Sequence, residues 1–310
     1  MIISNDPFSY QAAAPSAVTI GKFDGIHRGH QALIRDTVSW AEAQRAAGRP
    51  AQSVVFAFDM APSMLLTKRE RRTMLEKMGV DLLIECSFGP KMITMPADAF
   101  MKDMLAGRLH AAHVTVGEDF RFGCGRTGSG RLLEEAGPAL GFDTRIVPEV
   151  TDGGEPVSST RIRAELTAGH METVGRLLGY PYFITGKVIH GRQIGRTIGV
   201  PTANQIPGKS KLLPPNGVYF TESDFGGRTY RGITNVGMKP TVDGHYLDAE
   251  TYFFNCDQDI YDRRLTVRLL HFSRPEKKFS SLEALKERIG LDAEEGHRFF
   301  AGLDEAAHEA

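Results

Sequence analysis

The feature that most constrains the fold is a glycine- and histidine-rich turn that joins a short apolar run to a helical pattern. The run is Ala17-Val18-Thr19-Ile20, which is β-branched and short enough to be a buried strand. After the turn, apolar side chains recur at the spacing of one helix face: Leu33, Ile34, Val38 and Ala41. Gly48-Arg49-Pro50 then ends this helix. We therefore expect a strand, a tight turn and a helix in direct succession.

The turn itself carries Gly21, Gly25 and Gly29, with His27 and His30 three residues apart. Glycines let the backbone approach a ligand closely, and the first N–H groups of a helix favour a phosphate. Two imidazoles at this spacing can share one helix face and hydrogen-bond the same phosphate oxygens. The alternatives are a surface pair or half of a metal site. A zinc site needs three or four ligands, and the neighbouring sequence offers no cysteine or further histidine.

Composition narrows the classes of function that remain. The chain has 310 residues, enough for two domains, and a net charge of −1, so we expect no general affinity for polyanions such as nucleic acid. The three cysteines lie far apart and suit a reducing compartment. We see no signal peptide and no apolar run long enough for a membrane span. We expect a cytoplasmic protein with small-molecule partners, either a monomer or a transient oligomer.

Strands and helices alternate through the first half of the chain. Further strands are expected at residues 53–58, 81–85, 113–116 and 142–147, and helices at 69–78 and 96–106. This alternation indicates a parallel sheet covered by helices on both faces. Ligands of such α/β sheets bind outside the carboxyl ends of the strands, which is where the glycine-histidine turn lies.

The full motif Gly-x-Phe-Asp-Gly-x-His-x-Gly-His resembles the N-terminal module of the prokaryotic bifunctional riboflavin kinase/FAD synthetases. The resemblance implies a Rossmann-like nucleotidyltransferase domain in which His27 and His30 stabilise charge on the reacting phosphate. It also implies that ATP contacts the motif's first residues: Gly21, Lys22, Phe23, Asp24 and Gly25.

Two later segments continue the same resemblance. Gly117-Glu118-Asp119-Phe120-Arg121-Phe122-Gly123 follows a predicted strand and implies FMN binding by Asp119, Phe120 and Phe122. Without the resemblance, the residue types of this segment would indicate a turn-rich, solvated loop. The glycine-dense residues that follow it suit a mobile flap. Ser158, Ser159, Thr160 and Arg163 match an element that binds the triphosphate. By residue type alone, this element could equally be a plain helix cap with a solvated arginine.

The chain departs from the family pattern at two places beside the expected site. Lys22 stands where the family usually has asparagine, and Asp59-Met60-Ala61-Pro62 replaces Asp-Pro-His-Pro. One imidazole is thereby lost and one cation gained. We hypothesise that Lys22 partly replaces the missing donor at the triphosphate.

The pattern changes after Gly179-Tyr180-Pro181, where we place a domain boundary that gives domains 1–180 and 181–310. Short strands are expected at 183–190, 217–222, 230–236, 250–255 and 264–272. This spacing, with glycine-rich turns, indicates a small antiparallel barrel. A capping box at Ser280 to Glu283 and an apolar stripe at Leu282, Leu285 and Ile289 predict a terminal helix.

Pro201-Thr202-Ala203-Asn204 and the residues around it resemble the riboflavin kinase module of the same family. The resemblance implies ATP binding by Gly186, Gly191, Gly195, Thr202 and Asn204. A threonine hydroxyl and an asparagine carbonyl are also suitable ligands of Mg²⁺, and alone the motif would be an ordinary turn. Asn235 and Arg274 are implied to contact the flavin. Glu250 is the predicted general base, because a primary alcohol that attacks a phosphate needs a proton acceptor.

These resemblances imply a bifunctional enzyme that converts riboflavin and ATP to FMN, and FMN and ATP to FAD, with Mg²⁺ in both reactions. Two other classes remain open. One is another adenylyl- or cytidylyltransferase with a ligand-binding second domain. The other is a flavin-binding regulatory protein with degenerate sites.

Overall fold

The structure, a computed structural model, describes residues 1–59, 62–190, 200–241, 244–256 and 258–309. These residues form two compact units, Met1–Ser159 and Thr160–Ala310. The domain boundary that the sequence places near residue 181 stays a prediction.

The N-terminal unit alternates strands and helices. Its strands are β1 (Ile2–Ser4), β2 (Ser16–Gly21), β3 (Gln52–Asp59), β4 (Leu82–Ser87), β5 (Ala111–Gly117), β6 (Arg121–Phe122), β7 (Gly128–Ser129), β8 (Asp143–Val147), β9 (Thr151–Asp152) and β10 (Glu155–Pro156). Its helices are α1 (Arg28–Ala46), α2 (Lys68–Lys77), α3 (Pro90–Ile93), α4 (Ala97–Ala99) and α5 (Gly130–Leu140). A π-helix, Phe100–Arg108, continues α4.

Six parallel strands form one sheet in the order β1-β4-β3-β2-β5-β8. The order reverses between β2 and β5, so the loops that follow these two strands border a crevice at the edge of the sheet. This confirms the predicted parallel sheet and brings the glycine-histidine turn beside the segment after Gly117. The sequence did not reveal β1, a three-residue edge strand with exposed residues.

Local signals explain where the helices begin. His27 is the N-cap of α1, and Thr67 and Glu70 form a reciprocal capping box at the start of α2. The helix expected at 96–106 is present but widens into π-helical turns, which bury Phe100, Met101, Met104 and Leu105 against the sheet. Ser129 caps α5, a helix that the sequence analysis did not predict.

The C-terminal unit contains a closed antiparallel barrel in the order β11-β12-β15-β14-β13-β16. Its elements are α6 (Ser159–Ala168), α7 (Met171–Leu178), β11 (Tyr182–Ile189), β12 (Ala203–Gln205), β13 (Gly217–Phe225), β14 (Arg228–Thr241), β15 (Gly244–Phe253), β16 (Arg264–Pro275) and α8 (Leu282–Glu309). The predicted barrel and terminal helix are confirmed, and β12 is an addition, since the sequence indicated only a turn there.

The two faces of the barrel strands differ in chemistry. Inside, hydroxyl groups of Thr221, Thr234 and Thr251 form a hydrogen-bonded row with O···O distances of 2.9 and 2.8 Å. Outside, an apolar cluster that includes Val218, Phe220 and Phe254 packs against Phe300 of α8. The start of α8 is capped one residue later than the sequence suggests, because Ser281 Oγ accepts from the Ala284 amide at 3.2 Å. Leu282 of the predicted stripe is exposed.

Candidate active sites

A cavity of about 540 Å³ opens at the reversal point of the parallel sheet. Most of the residues that the sequence predicted for the nucleotidyltransferase site line this cavity: Gly21, Lys22, His27, His30, Asp119, Phe120, Phe122, Ser158 and Ser159. They come from the turns after β2 and β5 and from the start of α6. The fold therefore gathers three separate sequence segments around one space.

The turn after β2 is strained. Phe23 has φ +48° and Ile26 has φ +39°, values that cost about 1–3 kcal/mol each in residues with a Cβ. Neighbouring groups hold the strained backbone in place. The Ile26 carbonyl accepts from Gln31 Nε2 at 2.9 Å, and the buried Phe23 ring lies 5.2 Å from the His30 ring. The turn thereby places His27 at the N-cap of α1.

The rings of His27 and His30 stack with centroids 3.7 Å apart. His27 Nδ1 accepts from the backbone N–H of His30 at 3.4 Å, which places the ring proton on Nε2. Burial lowers the pKa of His27 to about 4. Burial, and then the neighbouring His27, lower the pKa of His30 well below its usual value. Both imidazoles are therefore neutral at neutral pH, so they can offer N–H groups but no positive charge to a ligand.

Asp24 holds the turn together and does not line the cavity. Its carboxylate accepts from the Leu65 amide at 2.7 Å, and its carbonyl accepts from Ser159 Oγ at 2.8 Å. The residue thus connects the histidine turn to the segment of Leu65 and to Ser159 at the start of α6. Phe23 and Gly25 are likewise buried beside the cavity rather than on its wall, so ATP contacts by these three residues stay predictions.

One wall of the cavity is aromatic. Phe120 and Phe122 stack 5.6 Å apart, and Phe100 contacts Phe122 at 5.5 Å. Phe58 and Phe88 extend the wall with an edge-to-face contact at 5.3 Å. The sequence analysis missed Phe58, Phe88 and Phe100. The first two follow from the carboxyl-end rule, since Phe58 lies at the end of β3 and Phe88 immediately after β4.

Three further sequence predictions concern this site: the residues on α6, the replaced Pro-His and the flap. Thr160 and Arg163 lie on α6, and both belong to the C-terminal unit, so their triphosphate role stays a prediction. Met60 and Ala61, which replace the usual Pro-His, lie outside the described residues. The predicted flap folds as the β6–β7 ribbon around a 3₁₀ turn, Cys124–Arg126.

A second set of polar groups lies on the barrel. Glu250 of β15 is directly opposite Asn204 of β12 on one side and Asn235 of β14 on the other. Directly opposed residues of antiparallel strands share a face, so the three side chains form a row. Thr202 Oγ1 donates to Glu250 Oε1 at 2.6 Å. Four of the predicted kinase residues are therefore brought together.

Arg274 and Gly186 make contacts within the barrel unit. Arg274 donates to the Asp292 carboxylate of α8 at 2.8 and 2.5 Å. Gly186 lies within β11, where an added Cβ would be 3.1 Å from the Gln205 side chain, and its carbonyl accepts from Gln205 Nε2. Their flavin and ATP contacts stay predictions. Gly191 and Gly195 lie outside the described residues.

The donors around Glu250 fit a small divalent cation. A hydroxyl, an amide carbonyl and a carboxylate are hard oxygen ligands, and Mg²⁺ usually completes such a set with phosphates and water. Thr202 and Glu250 already lie within hydrogen-bond distance. In the described part of the chain, no cluster of three or more His, Cys, Asp or Glu side chains could hold a metal by itself.

Protein-family models divide the chain in two. A model described as FAD synthetase matches residues 9–161, and one described as riboflavin kinase matches residues 178–300.

Similar whole proteins are found in several bacteria. A bifunctional riboflavin kinase/FMN adenylyltransferase of Escherichia coli (strain K12) is 36% identical over 94% of both chains. Its counterpart in Pseudomonas fluorescens is 37% identical over 88% of this chain and 89% of the other. A crystal structure described as a macrolide-efflux protein from Streptococcus pneumoniae has 30% identity and a TM-score of 0.81, covering 94% of this chain and 97% of that one. Among the described residues of this chain, no helix is both long and apolar enough to cross a membrane.

Proposed function

This chain belongs to the family of bifunctional riboflavin kinase/FMN adenylyltransferases, and we propose that each of its compact units carries one of the two reactions. The barrel unit phosphorylates riboflavin with ATP to give FMN. The parallel-sheet unit transfers the AMP group of a second ATP to FMN, giving FAD and diphosphate. The gathering of the predicted residues around one cavity is the observation that supports the second assignment.

In adenylyl transfer, a phosphate oxygen of FMN attacks the α-phosphorus of ATP and the bond to the β-phosphate oxygen breaks. Neutral His27 donates from Nε2 to a phosphoryl oxygen on which charge develops, and His30 acts beside it. Gly21 and Lys22 border the triphosphate, with Ser158 and Ser159 as further contacts. The aromatic wall formed by Phe58, Phe88, Phe100, Phe120 and Phe122 receives the isoalloxazine ring, and Asp119 contacts the flavin. No protein nucleophile is needed, because orientation and preorganised donors lower the barrier.

In riboflavin phosphorylation, Glu250 accepts the proton of the attacking hydroxyl group. Thr202 and Asn204 would hold Mg²⁺, which neutralises charge on the phosphates when it is bound. The Thr202 hydroxyl keeps Glu250 Oε1 oriented through the 2.6 Å hydrogen bond. Asn235 lies on the opposite side of Glu250, where it can orient the flavin. We place both reactions in the cytoplasm, with small molecules as partners and a monomer or transient oligomer as the working form.

The test is incubation of the purified protein with riboflavin, ATP and Mg²⁺, followed by separation of the flavins over time. We expect FMN first and FAD second.

Glu250→Gln should stop FMN formation but still convert added FMN to FAD. His27→Ala should form FMN normally and lose roughly a hundredfold or more in FAD formation, the typical effect of removing one donor to developing charge. Absence of both products would overturn the proposal, and adenylylation of a different phosphorylated acceptor would indicate another nucleotidyltransferase.

A further inference from the structure

Arg126 is a cavity-lining residue to which the reactions described above give no role. It ends the 3₁₀ turn between β6 and β7, is exposed, and contributes to the wall of the cavity at the reversal point of the sheet. Its backbone has φ +59°, the left-handed conformation that residues with a Cβ rarely adopt. Such an outlier at a ligand cavity is a reason to look for a functional constraint.

The surroundings fix the backbone of this turn. The Cys124 amide donates to the Met95 carbonyl at 2.8 Å, and the Arg126 amide donates to the Gly123 carbonyl at 3.0 Å. A Cβ on Gly123 would lie only 2.8 Å from Ala97, so the turn is seated closely on the start of α4. Arg126 is therefore held at this position although a glycine would adopt its backbone conformation at lower cost.

The charges on the cavity wall make this arginine unusual. The histidine pair is neutral, so positive charge must come from other groups. Arg121 Nη1 already donates to the backbone carbonyls of Phe120 and Glu118. Among the described cavity-lining residues, the head groups of Lys22 and Arg126 remain as cations that make no hydrogen bond or ion pair with the protein.

These two cations lie on different segments of the site. Lys22 follows β2 and belongs to the turn that carries His27 and His30, the triphosphate side in the proposed function. Arg126 continues the segment of Phe120 and Phe122, and its turn is bonded to Met95, which also lines the cavity beside the aromatic wall. Arg126 is thus on the flavin side of the cavity.

The chemistry of the proposed reaction needs a cation there. The attacking group is a phosphate monoester, an anion that must approach the anionic α-phosphate of ATP. Its oxygen forms the new bond to the α-phosphorus while diphosphate leaves with the electron pair of the broken bond. A guanidinium group can bind a phosphate through two parallel hydrogen bonds and reduce the repulsion between the two anions.

We propose that Arg126 binds the phosphate group of FMN in the adenylyl-transfer cavity and thereby selects the phosphorylated flavin over riboflavin. This inference rests on the adenylyl transfer proposed for the same cavity.

The test compares Arg126→Asn, Arg126→Lys and the parent protein in steady-state FAD formation, with FMN and ATP varied separately. Asparagine tolerates the left-handed conformation, so Arg126→Asn removes the charge and leaves the backbone in place. We expect the KM for FMN to rise by about tenfold to a hundredfold, the usual effect of losing a hydrogen bond to a charged group. The KM for ATP should stay near the parental value, and Arg126→Lys should be intermediate, because it keeps the charge without the bidentate geometry.

Arg131→Ala is the matched control. Arg131 lies on α5 outside the cavity lining, its side chain is 83% exposed, and it pairs with Glu135, so its loss should leave the KM for FMN unchanged. Riboflavin phosphorylation by the same preparations reports that each variant is folded. A parental kcat/KM for FMN in Arg126→Asn would overturn the inference, and so would a rise confined to the KM for ATP. If the parent itself forms no FAD from FMN, the proposed function fails first and this inference fails with it.

Discussion

Burial decides how the two central side chains of the N-terminal unit can act. His27 and His30 were predicted from their spacing, and the structure stacks their rings 3.7 Å apart. Spacing alone says nothing about charge. Desolvation disfavours the charged form, so both imidazoles are neutral, and in the proposed adenylyl transfer they would act as N–H donors. In the proposed reaction, Lys22 and Arg126 rather than the histidines supply positive charge beside the phosphates.

The lowered pKa of His27 predicts a dependence of stability on pH. The unfolded chain takes up a proton at this residue near pH 6.5, whereas the folded unit does so only at about pH 4. Between these values the unfolded state binds more protons, so the free energy of unfolding falls as the pH falls. The slope from one such group is up to about 1.4 kcal/mol per pH unit.

The measurement is urea unfolding between pH 4 and 7, followed by the fluorescence of Trp40. This is the single tryptophan of the chain, and it lies in α1 of the N-terminal unit. His27→Gln should flatten the pH dependence, whereas His110→Asn, at an exposed position with φ +46°, should retain it. The same slope in the parent and in His27→Gln would show that His27 is not the group responsible.

At the scale of elements, α8 is joined to the barrel by a buried ion pair. The Asp292 side chain is 1% exposed and accepts hydrogen bonds from Arg274 of β16 and Arg288 of α8. A partly buried guanidinium that loses its carboxylate keeps its desolvation cost without compensation. Breaking a pair of this kind costs about 3–5 kcal/mol.

Asp292→Ala should therefore lower the stability of the barrel unit by an amount near that range. Riboflavin phosphorylation should be lost at a lower temperature than in the parent, while FAD formation from added FMN keeps its parental temperature profile. Asp304 pairs with Arg231, and its side chain is 53% exposed, far more than that of Asp292. Asp304→Ala should therefore have a much smaller effect on stability. Equal losses in the two variants would mean that burial of the pair contributes nothing.

Most elements were predictable because their signals are local. Strands β2 to β5 are buried on both faces and appear in the sequence as apolar runs. The terminal helix is indicated by apolar side chains at helical spacing. Elements whose formation depends on partners were not found. In the described part of the chain, the edge strand β1 pairs with β4 alone, and β12 is a three-residue strand that pairs with β11 and β15.

At the scale of the whole molecule, two units with separate cores carry the two proposed sites. The cavity is lined by residues between Ile20 and Ser159, and the Glu250 row belongs to the barrel. The product of the barrel reaction, FMN, is the substrate of the adenylyl-transfer reaction in the N-terminal unit. We therefore expect the two activities to be separable and to work in trans through free FMN.

A mixture of His27→Ala and Glu250→Gln tests this expectation. Neither variant alone should convert riboflavin to FAD efficiently, but the mixture should do so after a lag during which FMN accumulates. Added FMN should remove the lag, because it bypasses the barrel reaction. Failure of the mixture, with both single activities intact, would indicate that FMN must pass between sites of one molecule.

The sequence by itself determined the fold class, the family and the main chemical groups, because periodicity, turn glycines and motif spacing are properties of adjacent residues. Only the tertiary structure showed that Asp24 holds the turn instead of lining the cavity. It also turned Arg274 toward Asp292, neutralised the histidine pair by burial, and brought Arg126 to the wall of the cavity. These outcomes depend on which segments meet in space, and contacts between residues far apart in the chain leave no local signal.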